Sequence, residues 1–411
     1  MTSKLPDVDW LAKPETQRLL QALEAARPGG NRFVGGCVRN TLMRRVVDDI
    51  DIATQLLPED VISALRKSDI RAIPTGIEHG TVTAVVNHVP FEITTLRKDV
   101  ETDGRRAVVA FTEDWAEDAM RRDFRLNALY AEPDGTIHDP TGGGLDDARD
   151  GRIIFIGEAD TRLREDYLRI LRFFRFNAWY GAGIDSAGLA ACERQRDGLE
   201  QIAAERVWKE LKKLLEAPDP RASVAAMAKI DLLVDVFQAV DGASVMSTLI
   251  YLEREARLQA DPLRRLLAFM PKELDTALSI AARLKMSNKE RDRLTDWAAA
   301  DTQLIEDLSG PKIRAAVYLL GYETLADVVL LKAAGAGGGD IDLALAGLAE
   351  ARGWEPPDLP VTGQDLVNAG FKSGPLIGKY LADLEAEWID SDFRMSKSDL
   401  LEALEVQLKR D

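Results

Sequence analysis

The sequence predicts an α+β chain, with a mixed sheet and helices in its N-terminal part and an all-α region after it. Three observations predict this. Residues 31–54, NRFVGGCVRNTLMRRVVDDIDIAT, run as a short apolar strand, a Gly pair, a helical segment and a second strand carrying carboxylates. Period-two alternation then recurs in RAIPT, GTVTAVV and PFEITTLR, which read as strands, with PEDVISALRKS as a helix before them. From Thr161 onward the apolar residues recur at helical spacing.

Length and composition bound the function. The chain has 411 residues, 46% of them hydrophobic, enough for several modules with their own cores. It contains no apolar run of about 18 residues, and the opening MTSKLPDVDW has no signal-peptide core, so a cytoplasmic protein without membrane partners is expected. Cys37 and Cys192 lack CxxC spacing and are expected to be free thiols rather than disulfide or zinc ligands. The formal charge of -16 excludes indiscriminate nucleic-acid binding. A nucleic-acid surface must then be a local basic patch.

The first strand, Arg32 to Val34, leads into Gly35 and Gly36, where the missing Cβ atoms let backbone amides approach a ligand. A helix predicted from Cys37 to Arg45 would add its N-terminal dipole, with Arg39 one turn in as an anion clamp. In DDIDIA, strand alternation puts Asp49 and Asp51 on one face and Ile50 and Ile52 in the core. Paired carboxylates repel unless a cation sits between them, and hard oxygen ligands favour Mg²⁺. On the strand PFEITTLR, Glu92 lies on the face opposite Phe91 and Ile93 and is the candidate third carboxylate. Asp48 points away from the pair and is excluded. RKDVETDGRR, residues 97–106, is polar and aperiodic and is predicted to be a loop. In RRDFRLNAL, Arg122 and Asp123 could supply a phosphate donor and a ribose acceptor; a hairpin is expected at Pro133-Asp134-Gly135.

TRLREDYLRILRFFRFNAWY reads as one amphipathic helix, with Leu163, Tyr167, Ile170, Leu171 and Phe174 as its apolar stripe. Arg162, Arg164, Arg169, Arg172 and Arg175 outnumber Glu165 and Asp166 there, which supplies the local basic patch. On such a helix Asp166 and Arg169 are neighbours, and Glu165 can hold the Arg169 guanidinium. An acceptor beside a donor matches the pairing edges of cytosine and adenine. Uracil and guanine present the opposite polarity, leaving unpaired groups at roughly 1 to 3 kcal/mol each.

FVGGCVRN, DDIDIA, FEITTLR, RRDFRLNAL, DPTGGGLDD, EDYLRILRFFRF and AERVWKELKKLL resemble, in order, motifs of the bacterial (class II) tRNA nucleotidyltransferase and poly(A) polymerase family. The resemblance implies a polymerase β-like nucleotidyltransferase head (1–158), then a helical neck that reads the base (159–220), a body (221–335) and a tRNA-binding tail (336–411). It implies two-metal catalysis at Asp49 and Asp51, triphosphate contacts from Gly36 and Arg39, nucleotide contacts from Arg122 and Asp123, and base reading by Asp166 with Arg169. Arg172 and Arg175 would contact phosphates. The expected reaction is addition of C, C and A to the tRNA 3′ end from CTP and ATP, the acceptor arm being the RNA partner. Two departures stand out: Asn40 where relatives usually carry Asp, which should not support metal binding, and Asp48 where they usually carry a basic residue.

CC addition, poly(A) synthesis and a non-catalytic RNA-binding relative remain alternatives. Asp103-Gly104-Arg105-Arg106 in the predicted loop favours addition of the terminal A. Beyond the neck, AERVWKELKKLLEA is amphipathic, with Arg206, Lys209, Lys212 and Lys213 suited to RNA or to solvent; Ser287 suits a helix cap, and residues 334–339 (AGAGGG) suit a hinge. Gly374-Pro375 suits a helix start, with Lys379 one turn in, and the acids between Asp383 and Asp392 are expected to face solvent. His79, His88 and His138 all lie in the first third, so no His-Asp metal phosphohydrolase domain is expected in the helical half.

Overall fold

The computed structural model describes residues 3–103, 106–237, 242–335, 340–371 and 374–408. The chain divides into two compact units, Met1–Val236 and Phe237–Asp411.

The first unit is built on strands β1 (Asn31–Val34), β2 (Asp51–Thr54), β3 (Arg71–Gly76), β4 (Thr81–Val86), β5 (Val89–Thr95), β6 (Arg97–Asp103), β7 (Arg106–Phe111), β8 (Tyr130–Ala131) and β9 (Ile137–His138). Seven form one sheet in the order β3-β4-β5-β2-β1-β8-β9, and β6 pairs with β7. Neighbours in the sheet are antiparallel except β2 and β5, whose parallel register sets Asp51 beside Glu92. The alternation read from the sequence carries the core: Phe33, Ile52, Val82 and Ile93 are fully buried. The hairpin through Pro133-Asp134-Gly135 forms between β8 and β9, and Cys37 and Cys192 are buried free thiols.

Four local expectations are corrected. The strand of DDIDIA begins at Asp51, leaving Asp49 exposed in the preceding coil and Ile50 half-buried. Extending the β5 register backward would place Asp49 opposite Pro90, which has no N–H to donate. The helix α1 (Gly36–Leu42) stops three residues early, and Arg44 then takes a left-handed φ of 54°. Residues 97–103 and 106–111 form a β-hairpin instead of a loop, with Arg97 opposite Phe111 and Asp103 opposite Arg106. The partner strand, RAVVAF, has the higher strand propensity of the two, with Val108 and Val109 β-branched. Gly104 and Arg105, on which the terminal-A reading leaned, lie outside the described residues.

The fourth correction concerns the long helix after Thr161, which is two helices, α2 (Ala159–Glu165) and α3 (Leu168–Tyr180). Asp166 between them is extended (φ -152°, ψ 102°), and its carboxylate accepts the Leu168 N–H at 3.1 Å. A short acidic side chain that bonds the backbone two residues on competes with helix continuation and starts a new helix. Helix α4 (Ala204–Leu215) follows in the same unit.

In the second unit, Ser287 and Glu290 form a reciprocal capping box for helix α5 (Asn288–Ala299), as its sequence suggests. Helix α6 (Gly310–Ala334) kinks at Gly321, where φ is 72°, and helix α7 (Pro375–Asp390) starts after Gly374. Residues 336–339 of the expected hinge lie outside the described residues. The acids of the tail do not all face solvent: Asp392 is bound by Arg314 at 2.7 and 2.9 Å, and Glu385 accepts the Tyr318 hydroxyl at 2.5 Å. The interior holds charges. Fully buried Asp327 accepts from Arg264 Nε at 2.8 Å and from Arg293 Nε and Nη2 at 2.8 and 3.0 Å.

Removing one partner of a buried ion network strands the others without water. Asp327→Ala is therefore expected to destabilise the chain by about 3 to 5 kcal/mol in urea denaturation; a loss below about 1 kcal/mol would show the network to be dispensable.

Candidate active site

A cavity of about 570 Å³ in the first unit gathers most of the residues singled out in the sequence: Gly35, Gly36, Arg39, Asp51, Arg122, Asp123, Asp166, Arg169 and Arg172 all line it. Asp49, Glu92 and Arg175 do not. Arg121, Asn127, Leu168, Phe176 and Arg206 join it, as does Arg97 at the base of the β6–β7 hairpin.

Gly35 turns the chain from β1 into α1 with φ 69°, a backbone conformation that side-chain-bearing residues rarely adopt. A Cβ there would also lie 3.7 Å from Arg122 Nη1. The turn buries Arg39, whose guanidinium donates to Asn40 Oδ1 at 3.1 and 2.8 Å, Asn127 Oδ1 at 2.6 Å and Tyr180 Oη at 2.9 Å. Each of these partners is neutral. Burial accordingly pulls the Arg39 pKa down, and the charge is left to meet an anion in the cavity. Asn40, which carries an acceptor but no charge, bridges Arg39 and the following turn: its amide also donates to Val46 O at 2.8 Å.

Arg121, Arg122, Arg169, Arg172 and Arg175 are matched with carboxylates. Asp118 takes Arg121 Nε at 2.9 Å, Arg122 Nη2 at 3.0 Å and the Tyr130 hydroxyl at 2.7 Å. Arg122 and Asp123 do not pair with each other. Asp123 holds Arg172 through Nε at 2.8 Å and accepts Asn127 Nδ2 at 3.1 Å. Arg175 pairs with buried Glu210 of α4 at 2.7 Å and lies 4.5 Å over the Phe176 ring. As the spacing suggested, Glu165 holds Arg169, at 2.5 Å, and it holds Arg162 as well.

Asp166 and Arg169 both face the cavity but are not neighbours on one helix. The break before α3 presents the Asp166 carboxylate, which accepts Arg206 Nη2 at 3.0 Å. Arg169 is fixed by carbonyls, Arg162 O at 2.7 Å and Arg121 O at 3.2 Å.

At the carboxylate end, burial pushes the Asp51 pKa up to about 6, with Glu92 and Asp49 adding to the rise against Arg122 and Arg39. Among the described residues no three carboxylates, imidazoles or thiols converge at ligating distance. A cation here would complete its shell from substrate phosphates and water, the habit of Mg²⁺. Cys37, beside Asp51, is pushed up to about 11 by burial and stays a neutral thiol.

Sequence reasoning missed Asn127 and Phe176. Asn127 stood inside RRDFRLNAL, four residues after Asp123, and Phe176 was hidden by treating two helices as one continuous stripe.

Burial raises the Asp118 pKa, but Arg122 and Arg121 outweigh it and hold it down at about 2. A depressed carboxylate stabilises the fold above its unfolded pKa of about 4 and loses that contribution as pH falls toward 2. The stability gap between the parent chain and Asp118→Asn should be about 2 to 3 kcal/mol at pH 6 and should narrow below about pH 4. Urea titrations across that range measure it, and a gap constant with pH would contradict the assignment.

Comparison with known proteins agrees with this geometry. Residues 31–154 match the model of the Poly A polymerase head domain, and residues 183–243 match "Probable RNA and SrmB- binding site of polymerase A". The chain is 34% identical over 397 residues to CCA tRNA nucleotidyltransferase 1, mitochondrial, of Danio rerio, covering 91% of this chain and 86% of that protein. It is 31% identical to the CCA-adding enzyme of Limosilactobacillus fermentum, over 92% of this chain and 93% of that one. The Bacillus stearothermophilus CCA-adding enzyme in complex with CTP superposes with a TM-score of 0.74 at 26% identity, over 97% of this chain and all of that one. On this shared sequence, fold and motif order, the chain belongs to the family of CCA-adding tRNA nucleotidyltransferases.

Proposed function

We propose that the chain adds C, C and A to the 3′ end of tRNA from CTP and ATP, without a nucleic-acid template, releasing pyrophosphate at each step. The observation that carries this reading is the pairing of opposites in one cavity: Arg39 buried among neutral acceptors, and Asp51 buried beside the Glu92 and Asp49 carboxylates. Such a site takes a polyanion at one end and a cation at the other. The relatives' names, and the CTP bound by the Bacillus enzyme, support the substrates.

Arg39, with the amides at Gly35 and Gly36, holds the triphosphate. Asp49 and Asp51 hold Mg²⁺, and Glu92, beside Asp51 on the adjacent strand, adds negative charge. The donor set fits a hard divalent ion that keeps phosphate and water ligands. Bound Mg²⁺ would acidify the RNA 3′-hydroxyl and neutralise the charge that develops on the phosphates. Arg122 and Asp123, steadied by Asp118 and Arg172, contact the nucleotide. In-line attack at the α-phosphorus needs no covalent enzyme intermediate.

Asp166 and Arg169 read the base. Asp166 keeps lone pairs beyond its bonds to Leu168 and Arg206, and Arg169 has donors beyond the three described. Cytosine and adenine satisfy both groups. Arg172 and Arg175 stand behind them as phosphate contacts. The head at 1–158, neck at 159–220, body at 221–335 and tRNA-holding tail at 336–411 complete this reading.

A tRNA transcript ending at its discriminator base, incubated with Mg²⁺, tests the reaction. CTP alone should add two C, and CTP with ATP should add one further A. Long A tracts from ATP alone would mean a poly(A) polymerase, a stop after CC a CC-adding enzyme, and no extension a binding protein. Asp51→Ala should abolish transfer with the fold intact by circular dichroism, and retained activity would sink the catalytic assignment. Asp166→Ala and Arg169→Ala should raise UTP incorporation relative to CTP by roughly tenfold or more, whereas unchanged discrimination would put base reading elsewhere.

A further inference from the structure

Tyr180, the last residue of α3, takes part in none of the roles assigned above. Its hydroxyl oxygen accepts from Arg39 Nη2 at 2.9 Å, and its ring lies 4.0 Å beneath the Arg39 guanidinium. The Arg45 guanidinium sits 5.1 Å from the same ring, on the segment that leads to Asp49. One turn earlier, Phe176 packs against Tyr180 with ring centroids 5.6 Å apart and lines the cavity. Arg39 also lies 5.3 Å over Phe176. The two aromatics therefore form a shelf on which Arg39 is stacked and hydrogen-bonded.

We propose that Tyr180 is a positioning residue for the triphosphate. It fixes the Arg39 guanidinium from the far end of the helix whose near end carries Arg169, with Asp166 just before its start. The proposal rests on the reading of Arg39 as a triphosphate contact. From Arg169 to Tyr180 the helix rises about 16 Å, a span of the order of an extended nucleoside triphosphate. One rigid element thus sets the distance between the base and its phosphates. Stacking and a neutral hydroxyl orient a guanidinium without neutralising it, which a carboxylate in the same place would do. Arg39 thereby keeps its charge for the substrate.

The test uses the full chain, with CTP and CMP as competing ligands in a tRNA extension assay. Tyr180→Phe keeps the ring and loses the hydroxyl; Tyr180→Leu loses both. Tyr180→Phe should weaken CTP roughly tenfold, the scale of one hydrogen bond to a charged group, with CMP changed less than about twofold on the same scale and kcat at saturating CTP retained. Tyr180→Leu should weaken CTP further. Adding Tyr180→Phe to Arg39→Ala should cause no further loss of CTP affinity. CTP and CMP weakened equally, or CTP unaffected while Arg39→Ala weakens it, would overturn the role of Tyr180 and leave the Arg39 reading standing. CTP unaffected by Arg39→Ala would overturn both.

Discussion

A guanidinium buried without a carboxylate is the constraint around which the first unit is arranged. Arg39 is reached by side chains from α1, from the turn before β8 and from the end of α3. Each offers a neutral oxygen. A buried charge hydrogen-bonded only by neutral groups, with Asp123 acting on it without a bond, is costly unless an ion arrives to share the site. The Gly35 turn that buries it, the Asn127 that reaches it and the aromatic shelf beneath it all follow from that need. Across the cavity, Asp51 presents the opposite imbalance: burial raises its pKa, and the neighbouring Glu92 and Asp49 carboxylates add to the rise.

The remaining arginines show a different economy. Arg172 on Asp123, Arg175 on Glu210 and Arg169 on Glu165 are paired from one element to another, and Arg121 and Arg122 pair with Asp118 along one helical stretch. Pairing lowers the net field of the patch but fixes each guanidinium in place, so that its remaining N–H groups point in a set direction. Charge is thus concentrated at Arg39, and orientation is supplied by the others. An acidic chain with a net charge of -16 can hold an anionic substrate because these cations are collected in one place.

The order of elements was legible in the sequence because local rules decide it. Alternation placed Phe33, Ile52 and Ile93 in the core, the Gly pair marked the turn, and Ser287 with Glu290 marked a helix start. Where the reading failed, a contact from outside the segment being read had usually intervened. Residues 97–103 looked like a loop because the strand they pair with, 106–111, lies outside the segment. DDIDIA was shortened because Pro90 lies on the adjacent strand. The acids of α7 and the residues after it looked solvated, yet Arg314 and Tyr318 reach them from another helix.

The sequence alone determined which chemistry was present: a Gly-Gly turn, alternate aspartates, and a helix rich in arginine with a few acids. These are patterns of neighbouring residues, and neighbours are what a linear chain shows. Only the tertiary structure decided which charges are cancelled and which remain. Asn127 and Tyr180 lie 88 and 141 positions from Arg39, the group they hold in the cavity. The break at Asp166 belongs to the same class: its carboxylate left the helix to meet Leu168 N–H and Arg206, a choice between bonds that helical spacing cannot express.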